Sequence, residues 1–291
     1  MNANQKSQWV DELIQQVLAA IAHASELREA IVFKGAWILN SHLLDNRHSM
    51  DIDANTACEW AAANPLLEDQ RMFFERTIQR VVSRHFEGQS PVRFRVTSTK
   101  VEKKPRREHP RNWTAFWVRI AIHDAMYAEA LGMPSVEIDI AAPEQLGPEA
   151  VETIDLLGAP ARVYSLHRIA GEKLRAYLTS LPEYRKKMGG GERLFRVKDL
   201  YDLTRILRAR PLTDHAFWKK VGAEFQRACQ SRLVDCQELS TFTQDWRTAQ
   251  KIYESDPLLR SISFREAEVA LTSIARLLEA EKIIPVDFPL Q

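Results

Sequence analysis

At 291 residues, with 45% apolar and 27% charged side chains and a formal net charge of +1, the chain has material for a sizeable core in one large domain or two smaller ones. That charge gives no general argument for a nucleic-acid partner, and no apolar run is long enough to cross a bilayer. The first eight residues are polar without an apolar signal core, and the three cysteines, Cys58, Cys229 and Cys236, lack paired metal spacing, so a cytoplasmic protein with reduced thiols is expected.

Trp9, Val10, Leu13, Ile14, Val17, Leu18 and Ile21 recur at helical spacing and predict an amphipathic first helix. Residues 30–33 read as a short apolar strand, and Gly35 turns the chain into a helix through Trp37, Ile38 and Leu43. Residues 50–54 read as a strand carrying Asp51 and Asp53, and a long helix follows across Met72, Phe73, Ile78, Val81 and Val82. Residues 91–101 and 114–123 alternate as an antiparallel strand pair, and 135–140 form another strand. Residues 142–160 read as a loop containing Pro and Gly. Helices follow, the first capped by Ser165 and carrying Lys173, a later one carrying Asp199 and Asp202. Between them Met188-Gly189-Gly190-Gly191-Glu192 lacks the order of a P-loop and reads as a mobile loop beside the site. From about residue 213 the pattern is helical. Phe217, Trp218, Val221 and Phe225 make one apolar face, Val269, Leu271, Ile274, Leu277 and Leu278 another, and residues 283–289 form a tail lying against the surface. The fold expected is α/β: a mixed sheet flanked by helices over residues 1–160, then a helical bundle over 161–291.

The chemistry concentrates at Phe33-Lys34-Gly35-Ala36-Trp37 and Arg47-His48-Ser49-Met50-Asp51-Ile52-Asp53. Carboxylates two apart on a strand point to the same side, because strand side chains alternate. Hard oxygen ligands of this kind suit Mg2+ carried by a nucleoside triphosphate, an ion that takes few protein carboxylates and fills its shell with water and phosphate oxygens. Lys34 and the Gly35 backbone can meet phosphate, while Arg47 and Ser49 can orient the carboxylates. A solvated acidic strand edge is the plain alternative, and a D-x-D glycosyltransferase would use the same ion with a nucleotide sugar.

These residues resemble the AbiEii/AbiGii toxin family of nucleotidyltransferases, whose fold belongs with DNA polymerase β. That family is similar in having K-G-G-T/S-x-L followed by R-x-S-x-D-x-D. Lys34, Gly35, Leu39, Arg47, Ser49, Asp51 and Asp53 fall on the pattern. Glu172-Lys173-Leu174-Arg175-Ala176 looks like its E-K-L-x-A helix, and Arg196-Val197-Lys198-Asp199-Leu200-Tyr201-Asp202-Leu203 looks like its R-x-K-D-L-Y-D-L helix. The sequence departs where the family has a second glycine and a hydroxyl residue, since Ala36 and Trp37 stand there. The indole of Trp37 either stacks on the nucleotide base or begins a buried helix.

The resemblance implies Mg2+ held by Asp51 and Asp53, a triphosphate held by Lys34, Gly35 and Lys173, and a toxin that transfers a nucleoside monophosphate to the hydroxyl of an RNA, such as tRNA, or of a protein. It also implies restraint by a cognate antitoxin, in a toxin–antitoxin or phage-defence system. Asp139 is expected as the third carboxylate and general base, a solvated strand face being its plain alternative. Asp199 is expected to orient Lys173 or the metal site, and Asp202 to pair locally. Lys103, Lys104, Arg106 and Arg107, with Arg93, Arg95, Lys100 and Arg111 around them and Trp113, Phe116 and Trp117 close by, suggest contacts to RNA phosphates and bases. The bland reading is a hairpin tip over core aromatics. A fold that keeps nucleotide binding without turnover is the remaining alternative.

Overall fold

The structure, a computed structural model, describes residues 3–44, 51–106, 111, 113–127, 135–190 and 195–289, with side chains from residue 8 onward. The chain forms two compact units, residues 1–144 with 152–164, and residues 145–151 with 165–291.

The first unit opens with α1 (Ala3–His23) and α2 (Ser25–Ala30), then β1 (Ile31–Lys34), α3 (Gly35–Leu43) and β2 (Ile52–Thr56). The predicted apolar face of α1 is buried, with Trp9, Val10, Leu13, Ile14, Val17, Leu18 and Ile21 all inside. Each such side chain contributes roughly 1.5–3 kcal/mol relative to exposure. Next come α4 (Cys58–Ala63), the long α5 (Leu67–Glu87), β3 (Phe94–Lys104), β4 (Ala115–Asp124), β5 (Val136–Ala141), β6 (Val151–Leu156) and β7 (Ala159–Tyr164). The strands form one mixed sheet in the order β3-β4-β5-β2-β1-β7-β6. β1 runs antiparallel to β2 and parallel to β7, and β2 runs parallel to β5.

One face of this sheet packs on helices. Ile52, Ala54, Ile138, Ile140, Phe116, Val118 and Ile120 are buried there. The Phe74 ring of α5 lies 5.4 Å from Phe116, and Phe86 lies 5.4 Å from Phe94. The Trp9 indole donates to Asp124 Oδ2 at 2.9 Å, and Arg93 also donates to that buried carboxylate, tying α1 to the β3–β4 hairpin. The other face carries the polar positions of the same strands.

Two expectations for this unit are corrected. The loop expected over 142–160 contains the β6–β7 hairpin, turned through Leu157 and Gly158 at φ +55° and +85°, the left-handed pair that a two-residue hairpin requires. Phe116, grouped with base-stacking aromatics, is a core residue because it lies on the helix-covered face.

The second unit is helical: α6 (Leu166–Leu178), α7 (Pro182–Lys187), α8 (Val197–Ala209), α9 (His215–Arg232), α10 (Leu239–Phe242), α11 (Trp246–Ser255) and α12 (Phe264–Ala280). α6 meets α9 closely at Gly171, where a Cβ would stand 2.7 Å from the Phe225 backbone nitrogen. Beside it Arg168, fully buried, donates to Glu224 Oε2 at 3.2 Å. Val269, expected inside, is 58% exposed. The buried stripe of α12 runs through Ala267, Ala270, Leu271, Ile274 and Leu278, and residue 269 sits between its turns. The tail is more than a surface strap, since Val286 pairs with Cys236 and both Ile284 and Val286 are buried. Cys229 and Cys236 are buried thiols, and burial pushes Cys236 up to about 12, which keeps it protonated. No helix of the described residues is long and apolar enough to cross a membrane.

Candidate active site

Sheet register assembles the acidic cluster. The antiparallel pairing of β1 with β2 sets Lys34 opposite Asp53, and the parallel pairing of β2 with β5 sets Asp53 opposite Asp139. Antiparallel β4 then sets Trp117 opposite Asp139, and β3 sets Glu102 opposite Trp117. Residues paired in this way share a face, so one row across five strands carries Lys34, Asp53, Asp139, Trp117 and Glu102 on the side away from the core. Asp51 stands just before β2, which spans Ile52–Thr56 rather than the expected 50–54. One carboxylate oxygen from each of Asp51, Asp53 and Asp139 lies within 4.8 Å of the other two. Asp53 is half-buried and Asp139 exposed. Three clustered carboxylates repel one another unless a cation joins them. As a hard, all-oxygen donor set they fit Mg2+ or another hard divalent ion rather than a soft one.

The turn after β1 closes on the same carboxylate. Lys34 is extended, and Gly35 has φ +76°, a region that side chains disfavour. A Cβ at position 35 would stand 2.0 Å from Asp53 Oδ2 and 2.6 Å from Asp53 Cβ. Glycine is therefore required twice, for its backbone conformation and for the space that Asp53 fills. The Lys34 ammonium lies 5.8 Å from the Tyr164 ring centre. In the first turn of α3, Ala36 is buried and Trp37 half-buried, its indole nitrogen enclosed with no hydrogen-bond partner among the described residues. Arg47 and Ser49 lie outside the described residues.

The basic residues of β3 divide between the two faces of the sheet. Lys103 lies 3.8 Å from Glu68 of α5 on the helix-covered side. Lys104, its neighbour, lies 3.6 Å from Asp139 Oδ1 and 4.0 Å from the Trp117 ring centre on the open side. Arg106 is exposed, and Arg107 lies outside the described residues.

In the second unit Lys173 of α6 is held by both acids of α8. It donates to Asp202 Oδ2 at 2.6 Å and to Asp199 Oδ1 at 3.2 Å. Arg196 donates to Asp199 at 2.6 Å and Arg205 to Asp202 at 3.2 Å, so two nearly buried carboxylates meet three cations. Burial alone would raise the Asp199 carboxyl, but the charges of Arg196 and Lys173 outweigh it and hold it below the ordinary carboxylate range. Asp202, expected to pair only locally, makes the shorter contact to Lys173. The spacing of three between Asp199 and Asp202 carried that signal, because it puts both on one side of a helix.

The family model described as nucleotidyl transferase AbiEii toxin, type IV toxin–antitoxin system, matches residues 16–281. The chain belongs to this family. Among solved structures the chain is similar to JHP933 from Helicobacter pylori, at 15% identity and a TM-score of 0.51 over 94% of this chain and 92% of that one. It is also similar to MenT4, a nucleotidyltransferase toxin from Mycobacterium tuberculosis H37Rv, at 14% identity and a TM-score of 0.42 over 96% and 92% of the two chains. No curated protein matches it. AbiEii membership makes this a protein of a nucleotidyltransferase toxin family, and the glycosyltransferase alternative falls with it.

Proposed function

We propose that the protein is a metal-dependent nucleotidyltransferase that moves a nucleoside monophosphate from a nucleoside triphosphate to a hydroxyl of RNA, with tRNA the first acceptor to test, and that it acts in the cytoplasm as a toxin restrained by a cognate antitoxin. The observation that carries the reading is the gathering of Asp51, Asp53 and Asp139 by the pairing of β2 with β5, beside a turn that only glycine can make.

Asp51 and Asp53, with Asp139 beside them, would hold Mg2+. When bound, that ion supplies positive charge against the triphosphate and the transferring phosphoryl group. Asp139 takes the proton of the acceptor hydroxyl through a carboxylate oxygen. The acceptor oxygen bonds to the α-phosphorus as the bond from that phosphorus to the bridging oxygen breaks, and pyrophosphate departs. Lys34 and the Gly35 backbone meet the phosphates. Lys173, positioned by Asp199 and Asp202, is assigned phosphate neutralisation on the family motif. Of the basic residues expected to meet acceptor phosphates, Arg106, exposed just beyond the end of β3, keeps that assignment, whereas Lys103 faces Glu68.

The decisive experiment incubates the protein with Mg2+, total tRNA and each of the four triphosphates labelled at the α-phosphate, beside an Asp51→Asn, Asp53→Asn double variant. Label on RNA that requires both aspartates supports the proposal, and label on protein instead would redirect it to a protein acceptor. Absence of transfer with every base, together with retained nucleotide binding, would favour a second reading in which Trp37 obstructs the phosphate cradle and the fold only binds. Trp37→Ser should then raise nucleotide affinity.

A further inference from the structure

The open face of the sheet holds a lysine that the family motif does not mention. Trp117 is fixed by donating its indole N–H to Glu137 Oε2 at 3.3 Å. Among the described residues two cations lie over its ring, Lys104 at 4.0 Å and Arg119 at 4.5 Å. They differ in their anions. Arg119 donates to Glu102 at 2.7 Å, whereas Lys104 pairs, among the described residues, with Asp139, 3.6 Å away. Asp139 in turn belongs to the three-carboxylate cluster. The indole face thus holds an ammonium against the outer edge of that cluster, an attraction of cation for ring that adds to the attraction of charge for charge.

We infer that Lys104 is a built-in counter-ion of the acidic cluster, a positioning residue that occupies the Asp139 side until a divalent cation enters and then withdraws along the Trp117 ring. The inference rests on the reading of Asp51, Asp53 and Asp139 as a cation site. Before a metal arrives, the lysine offsets part of the repulsion among the three carboxylates. Once a dication is present its charge opposes entry, so Lys104 lowers cation affinity and keeps the site from filling in the absence of a nucleotide that brings its own metal. Lys103, adjacent in sequence, faces Glu68 on the other side of the sheet and lacks this influence.

The test titrates the full chain with Mn2+ alone, by calorimetry and by the electron spin resonance of free Mn2+. Lys104→Met should bind Mn2+ about three- to tenfold more tightly than wild type, as expected for removing one charge a few ångströms from a dication at a partly exposed site. Lys103→Met, with the same change in net charge, should match wild type. Addition of Mg2+ should change tryptophan emission in wild type and not in Trp117→Phe or Lys104→Met, because an ammonium shifts along the Trp117 ring only in the wild type. Equal Mn2+ affinity in wild type and Lys104→Met, or an equal gain in Lys103→Met, would overturn the inference while leaving the cation site intact. Wild type that takes up no Mn2+, or takes it up as well after Asp51→Asn and Asp53→Asn, would overturn the cation site and this inference with it.

Discussion

Gly35→Ala separates the two demands made on the turn after β1. A side chain at φ +76° costs about 1–2 kcal/mol in backbone conformation alone. The added Cβ would also overlap Asp53, at 2.0 Å from Oδ2 and 2.6 Å from Cβ. A carboxylate can rotate away, but the contact to Cβ forces the β1–β2 backbone apart, and overpacking of this kind costs about 1–3 kcal/mol more. Gly158→Ala is the matched control, because Gly158 has φ +85° and no atom within 4 Å of its would-be Cβ. It should lose only the conformational part. Differential scanning calorimetry should then show Tm falling by roughly 2–8 °C for Gly158→Ala and by about twice as much for Gly35→Ala. Mn2+ titration should show affinity lost only in the second, since only there is Asp53 displaced. Equal Tm shifts in the two variants, or full Mn2+ affinity in Gly35→Ala, would refute the claim that Asp53 fills the space a side chain would need.

Gly171→Ala should destabilise the helical unit by about 1–3 kcal/mol in urea unfolding, because the new methyl meets the Phe225 and Glu224 backbones at 2.7 and 2.9 Å and α6 must move from α9. Lys173→Met removes a shared partner from two nearly buried carboxylates. Since Arg196 and Arg205 remain, the loss should fall near the low end for a broken buried pair, about 3 kcal/mol by urea unfolding, and Asp202→Asn in the same background should recover part of it. Asp124 should give the stability curve an acid limb. Burial would raise its carboxyl, but hydrogen bonds from Arg93, Met126 and Trp9 outweigh that and lower it in the fold. Its contribution is therefore present above the unfolded value near pH 4 and lost as pH falls through the lower folded value. Unfolding measured from pH 6 to pH 2 should fall less steeply below about pH 4 in Asp124→Asn than in wild type.

Local periodicity made much of the fold legible. The face of α1 from Trp9 to Ile21, the strand–turn–helix at Gly35 and the long helix around Ile78 each announce themselves within a few residues, because burial of one side of one element fixes the pattern. The β6–β7 hairpin did not. Glu152, Thr153 and Asp155 are exposed on an edge strand whose only buried residue is Leu156, so the apolar alternation that marks a half-buried strand is missing. Val269 was misassigned because a residue two positions before Leu271 lies about 200° around the helix from it.

The candidate site divides along the same line. Asp51 and Asp53 are local, being two residues apart. Asp139 joins the cluster only through parallel pairing with a strand 86 residues earlier in its register partner Asp53, a contact that no local pattern encodes. The basic run at the end of β3 shows what reading along the chain alone obscures. Lys103 and Lys104 are one charge density in sequence, yet strand alternation sends the first to Glu68 under the sheet and the second to Asp139 above it. A cluster counted as one phosphate-binding patch is thereby split into a structural cation and a cation beside the carboxylates. The consequence for experiment is that reversing all four basic residues at once would alter cation binding and acceptor binding together. Single substitutions at Lys103 and Lys104 are needed before any loss of transfer is ascribed to RNA.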